Sequence, residues 1–184
     1  TTQLLATISS PGGVTVKGNP TGNDMAQLAS VLQPYIDSLT NKGVDKIIVA
    51  SHLQQFALEQ QLAGLLTGVD IILAGGSDFR LAHNTDILRP GDSADGNYPF
   101  VTNDAQGDSV LIVSTDGEYS YVGRLVVEFD QNGHVLPSSV NELISGAYAT
   151  IPGVVNGIYG TANPYSQGSK GHYVQRLTGS VIDV

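Results

Sequence analysis

Val44-Asp45-Lys46-Ile47-Ile48-Val49-Ala50, stopping at Ser51-His52, and Val69-Asp70-Ile71-Ile72-Leu73-Ala74, stopping at Gly75-Gly76-Ser77-Asp78, decide how this chain folds. Both are short, mostly apolar runs rich in β-branched residues, the composition of a buried strand. Between them, residues 54–66 place Phe56, Leu58, Leu62, Leu65 and Leu66 along one side of a helix, and Gly68 closes it. Strand, helix, strand in this order predicts two parallel neighbours in an open α/β sheet. Ligands and catalytic groups in such sheets collect at the carboxyl ends of the strands. There the sequence puts His52 after the first strand and Gly75 to Asp78 after the second. The two sets are expected in one crevice.

Upstream, Asn23 or Asp24 caps a helix expected over residues 24–40, with Met25, Leu28, Ala29, Leu32, Tyr35, Ile36 and Leu39 on one face. Pro34 lies inside it and is expected to kink or divide it. In residues 1–22, Leu4, Leu5 and Ile8 suggest a short strand or turn before Pro11-Gly12-Gly13. Downstream, residues 79–97 read as a long polar loop. Residues 110–115 read as a strand, Asp116-Gly117 as a tight turn, and residues 120–129 as a second strand alternating through Tyr121, Leu125, Val127 and Phe129. Asn132-Gly133 turns the chain into a further strand near 135–143. Short helices are expected near 154–159 and 170–181. The fold class is therefore α/β, with a mixed sheet and a C-terminal antiparallel meander.

The 184 residues fit one domain with a sizeable core. Eight Lys and Arg stand against 17 Asp and Glu, a net charge of −9, and the cations are scattered. A nucleic-acid groove needs clustered cations, so that partner is not expected. No uncharged apolar run is long enough for a membrane span. The absence of Cys removes disulfides and thiolate metal sites, and the acidic, Gly-rich composition suits a secreted, periplasmic or cell-surface home.

Several residues are candidates for chemistry. His52, Asp78 and His83 carry donors that could form a single metal site, although His52 alone is equally a hydrogen-bonded strand-end histidine. Gly75-Gly76 could cradle a phosphate through bare backbone N–H groups, or simply supply a turn of positive φ. Asp92, Asp95, Asn97, Asp104 and Asp108 offer calcium-type oxygens without the spacing of a known loop. His134 and His172 read as surface residues. Tyr119, Tyr121 and Phe129 read as core or cross-strand pairs rather than a base-stacking platform. Thr1 as an N-terminal nucleophile has no supporting context.

Three strings, read together, carry a resemblance: NKGVDKIIVASHLQ (41–54), GVDIILAGGSD (68–78) and YSYVGRLVVEFDQNGHV (119–135). In order and spacing they resemble the second half of the catalytic domain of 5′-nucleotidase-like metallophosphatases, within the calcineurin-like phosphoesterases. The resemblance covers roughly residues 20–145. It implies part of a four-layer sandwich: residues 1–146 as the C-terminal half of a metallophosphatase-like domain, and residues 147–184 as a helical tail or the start of an interdomain linker. The family holds two divalent metal ions that activate water and clamp a phosphate. His52 stands at its strand-end His, a metal ligand. Its Gly-His-x-His turn, aligned on Gly76, puts Ser77 and Phe79 where the two His should be. The chain is thus expected to hold one metal ion or none, to be inactive alone, and to bind the rest of its domain or another copy of itself. The implied parent acts on a nucleotide or another phosphomonoester. The alternative is a non-catalytic surface or binding domain that reuses the fold.

Overall fold

A computed structural model describes residues 24–154. The expectations placed on residues 1–23, on His172 and on the helices beyond residue 154 lie outside them. Helix α1 spans Met25–Thr40. Asp24 caps it, its Oδ1 accepting the Gln27 N–H at 2.9 Å. Met25, Ala29 and Ile36 form its buried face.

The helix runs undivided through Pro34. The neighbouring residue explains why. The Gln33 amide donates to the Thr67 carbonyl and hydroxyl and accepts the Thr67 N–H, at 2.9 to 3.1 Å. Three tertiary hydrogen bonds thus hold the turn that the proline ring would open.

Strand β1 is Ile48–Ser51, helix α2 Phe56–Ala63 and strand β2 Ile71–Ala74, with β1 and β2 parallel and Ser51 opposite Ala74. Strand β3 (Phe100–Asn103) and strand β4 (Ser109–Val113) complete a sheet of order β1-β2-β4-β3. The β2–β4 pair is parallel and the β3–β4 pair antiparallel, so the sheet is mixed. Helices α1 and α2 cover one face, burying Ile72, Val110 and Ile112 with Phe56, Leu62 and Leu66. Helix α2 is shorter than its apolar pattern suggests: Gln54 takes a positive φ before it, and Gly64 caps it.

The antiparallel second half forms two separate ladders. Strand β5 (Tyr121–Arg124) pairs with β8 (Gly146–Ala149), and β6 (Glu128–Phe129) pairs with β7 (Val135–Leu136). The expected single strand over 120–129 breaks at 125–127, where the Ser145 hydroxyl accepts the Val126 N–H at 2.9 Å and replaces a ladder partner. The expected strand 135–143 stops at Pro137, which opens a 3-10 turn at Pro137–Ser139. No hairpin joins β4 to β5: Asp116, Glu118 and Tyr119 have positive φ, and β4 pairs with β2 and β3.

The β6–β7 hairpin lies against the second face of the sheet, where Ile71, Leu111 and Val135 are buried together with Phe129 packed beside them. Its turn residue Gly133 has φ +91° and rests on the backbone ahead of β1. A Cβ there would overlap the Asp45 carbonyl. The rest of that face is open. Ile48 and Leu73 are exposed and line a cavity of about 780 Å³ that reaches up to Ser51, Gly75 and Asp116.

Candidate functional site

The carboxyl edge of the parallel strands is built from three turns. The first follows β1. Ser51 ends the strand, His52 is exposed, Leu53 turns into the core and Gln54 adopts φ +70°. The Gln54 Nε2 lies 2.8 Å from the His52 Nε2. An amide nitrogen only donates, so this contact calls for the neutral tautomer in which His52 Nε2 accepts and Nδ1 carries the proton.

The second turn follows β2 and presses its backbone onto His52. A Cβ on Gly75 would stand 2.9 Å from the Ser51 carbonyl oxygen and 3.3 Å from His52 Nδ1. A Cβ on Gly76, at φ +81°, would meet His52 Cε1 and Nε2 at 2.7 Å each. Only glycine allows this approach. Asp78 follows with φ +52° and is exposed. The third turn, after β4, brings Gly117 against the Asp78 carboxylate. All five non-glycine residues with positive φ among the described residues lie in these three turns: Gln54, Asp78, Asp116, Glu118 and Tyr119. Backbone strain of this kind gathers at functional sites.

His52 and Gly75-Gly76 therefore meet as the sequence suggested. Position 79 does not belong with them. The Phe79 ring stacks on Phe56 at 4.3 Å, and Phe56 meets Phe100 edge-on at 5.6 Å. Phe79 is thus a core residue. Gly76 faces His52, and Asp78 stands at the same edge. Ser77 accepts the Phe79 N–H at 3.4 Å and so closes its own turn.

The proposed single metal site of His52, Asp78 and His83 does not form. His83 is drawn off by Glu142, 3.1 Å from its Nε2, and by Thr85, 2.8 Å from its Nδ1. The acidic residues of the long loop also separate. Asp92 accepts the Tyr121 hydroxyl at 2.6 Å, Asp95 accepts the Arg80 N–H, and Asp104 accepts the N–H groups of Gly68, Gln106 and Asp108. Among the described residues no group of three or more His, Asp or Glu side chains could hold a metal ion. The donor set therefore does not fit a metal pair. Arg80 is held by Asp116 and Asp92 and is not free for an anion.

Two residues here had no part in the sequence reading. Gln54 had no sequence signal. Glu59 had one: an acid placed between Phe56 and Leu62 on the apolar side of α2. It is fully buried, and burial pushes its carboxyl above the usual range. Burial likewise raises the hydroxyl of Tyr98, which lines the cavity beneath the edge.

Comparison with known proteins agrees with this architecture. The chain is 31% identical to mouse 5′-nucleotidase over 160 residues, 82% of this chain and 26% of that protein. It is 30% identical to human 5′-nucleotidase over 120 residues, and 34% identical to the snake venom 5′-nucleotidase of Crotalus adamanteus over 118. These matches cover 62% and 61% of this chain, and 20% and 19% of the relatives. The chain thus spans about a quarter or less of these relatives. Among solved structures, the 5′-nucleotidase precursor of Thermus thermophilus superposes with a TM-score of 0.52 at 31% identity, over 59% of this chain and 20% of that one. The NAD nucleotidase of Haemophilus influenzae gives 0.53 at 23% identity, over 61% and 21%, a likeness of fold. No protein-family model matches. Over the matched stretch the chain is 5′-nucleotidase-like.

Proposed function

We propose that this 5′-nucleotidase-like chain forms the second half of the catalytic domain of a metal-dependent phosphomonoesterase acting on nucleotides, and that its carboxyl edge is the wall of that site facing the phosphate. The observation that carries the reading is the packing of His52 on Gly75-Gly76 at the ends of two parallel strands. Backbone N–H groups of a glycine turn suit an anion, and an imidazole beside them can donate to it or ligate a metal. The other metal ligands come from the rest of the domain, because among the described residues His52 has no two companions. The chain alone then holds no metal pair and hydrolyses no phosphate ester. The open sheet face at Ile48 and Leu73, and the outer edge of β1, unpaired among the described residues, support docking of that first half or of another copy. The division near residue 146 and an extracytoplasmic home belong to the same proposal. No described helix is long and apolar enough to cross a membrane.

A second reading is favoured by Phe79, which stands where the family turn implies a histidine and stacks on Phe56 instead. It makes the chain a non-catalytic binding domain on the same fold. Assay of the purified chain with manganese, zinc or calcium against nucleoside monophosphates and a chromogenic phosphomonoester tests the first reading. The expected result is no turnover above that of His52→Ala. Turnover that vanishes in His52→Ala would show that the chain carries ligands of its own.

A further inference from the structure

We propose that Glu59 is the positioning residue of the strand-end crevice: its carboxyl grips the chain on both sides of His52 and sets where the imidazole stands. This deepens the functional reading and rests on it. Glu59 sits in the first turn of α2 and has no exposed surface. Its Oε1 accepts from the Ser51 hydroxyl at 3.1 Å and from the Leu53 N–H at 3.2 Å, the residues immediately before and after His52. Its Oε2 is buried with no hydrogen-bond partner.

Core stability does not explain this residue. A half-satisfied buried carboxyl lowers stability, and an apolar side chain would suit a face shared with Phe56, Leu58 and Leu62. What a leucine could not do is hold the backbone. The ring of His52 is exposed, so packing from the core does not fix it. Its place depends on the turn that carries it, on Gln54 at 2.8 Å and on the glycines beneath. That turn includes the positive φ of Gln54, a conformation that relaxes unless it is held. Glu59 holds it at residues 51 and 53. The single Ser51 hydroxyl proton is shared with the Leu73 carbonyl at 3.2 Å, which ties the grip to β2, the strand that leads into Gly75.

The test reads the His52 ring by nitrogen-15 NMR in the full 184-residue chain, with Glu59→Gln, Glu59→Leu and Ser51→Ala, and His52→Ala for assignment. Glu59→Gln keeps an acceptor oxygen in place and is expected to keep the wild-type ring signals, with the proton on Nδ1. Glu59→Leu is expected to lose them and to show a mixture of tautomers. Ser51→Ala, a milder change, is expected to move the same signals partway and keeps the test decisive if Glu59→Leu does not fold. A ring unchanged in folded Glu59→Leu, or in Ser51→Ala, would overturn the proposal and leave Glu59 a core residue. So would Glu59→Gln if it disturbed the ring as Glu59→Leu does. Inorganic phosphate titrated into the wild-type chain separates the two ideas. No shift at His52, Gly75 or Gly76 would remove the ligand role of the crevice, while the ring signals alone would still judge Glu59.

Discussion

The two ends of the parallel strands are built on opposite principles. At the amino end every buried or half-buried carboxylate caps backbone. Asp70 accepts the N–H groups of Ile47 at 2.9 Å and Val135 at 3.2 Å, and so joins β1, β2 and β7. Asp104 accepts three N–H groups, and Asp130 accepts those of Asn132 and His134. At the carboxyl end the backbone is strained, His52 is exposed, and Glu59 leaves one oxygen unpartnered. The acids at the first end are part of the scaffold. The second end leaves strain and an unpartnered oxygen in place, features that gather at functional sites.

Four measurements would break or sharpen this contrast. The largest effect is expected from Asp70→Ala, which strands two buried N–H groups and should cost about 3 kcal/mol in urea unfolding. A loss no larger than that of a surface residue would remove the scaffold role. Phe79→Ala should cost about 2 kcal/mol, because a partly buried ring stacked on Phe56 is lost. A negligible loss would return position 79 to the crevice.

The third concerns pH. Burial raises the Glu59 carboxyl above its ordinary 4.5. Its contribution is therefore fully present below that value and is lost as pH rises through the raised one. Glu59→Gln removes this dependence, so its melting temperature should gain on the wild type by a few degrees between pH 5 and pH 8. A constant difference would show that the folded carboxyl is already ionised at pH 5 and is not raised by its burial. The smallest effect is expected from Glu118→Gly. An exposed side chain at φ +54° is relieved, with a gain of about 0.5 to 1 kcal/mol in urea unfolding. A loss would mean that the turn is not strained.

The same contrast governs what could be read from the residues. Strands β1 and β2 and the helix between them were legible, because apolar runs end sharply in polar residues and Gly68 punctuates them. The meeting of His52 with Gly75-Gly76 followed from parallel pairing alone. Strand β3 was not legible. Phe100-Val101-Thr102-Asn103 is too short for a periodic signal, and it follows the long polar loop. The break in the 120–129 strand depends on Ser145, some twenty residues away, which no local pattern announces. The role of position 79 was not legible, because an aromatic after a glycine turn can face a crevice or the core. Only the stacking of Phe79 on Phe56 decides it. Gln54 stayed hidden because its part is a single hydrogen bond across a turn with positive φ.

One small contact carries a lesson about which substitutions this chain can accept. Gly133 lets the β6–β7 turn lie directly on the Asp45 carbonyl. Its neighbours Asn132 and His134 are exposed. In a library of random replacements those two positions should look permissive and Gly133 almost closed. The smallest possible change, one methyl group, would lift a hairpin from the sheet and wet Ile71 and Leu111 together. Tolerance here changes from one residue to the next within a single loop, and it follows backbone proximity rather than side-chain burial.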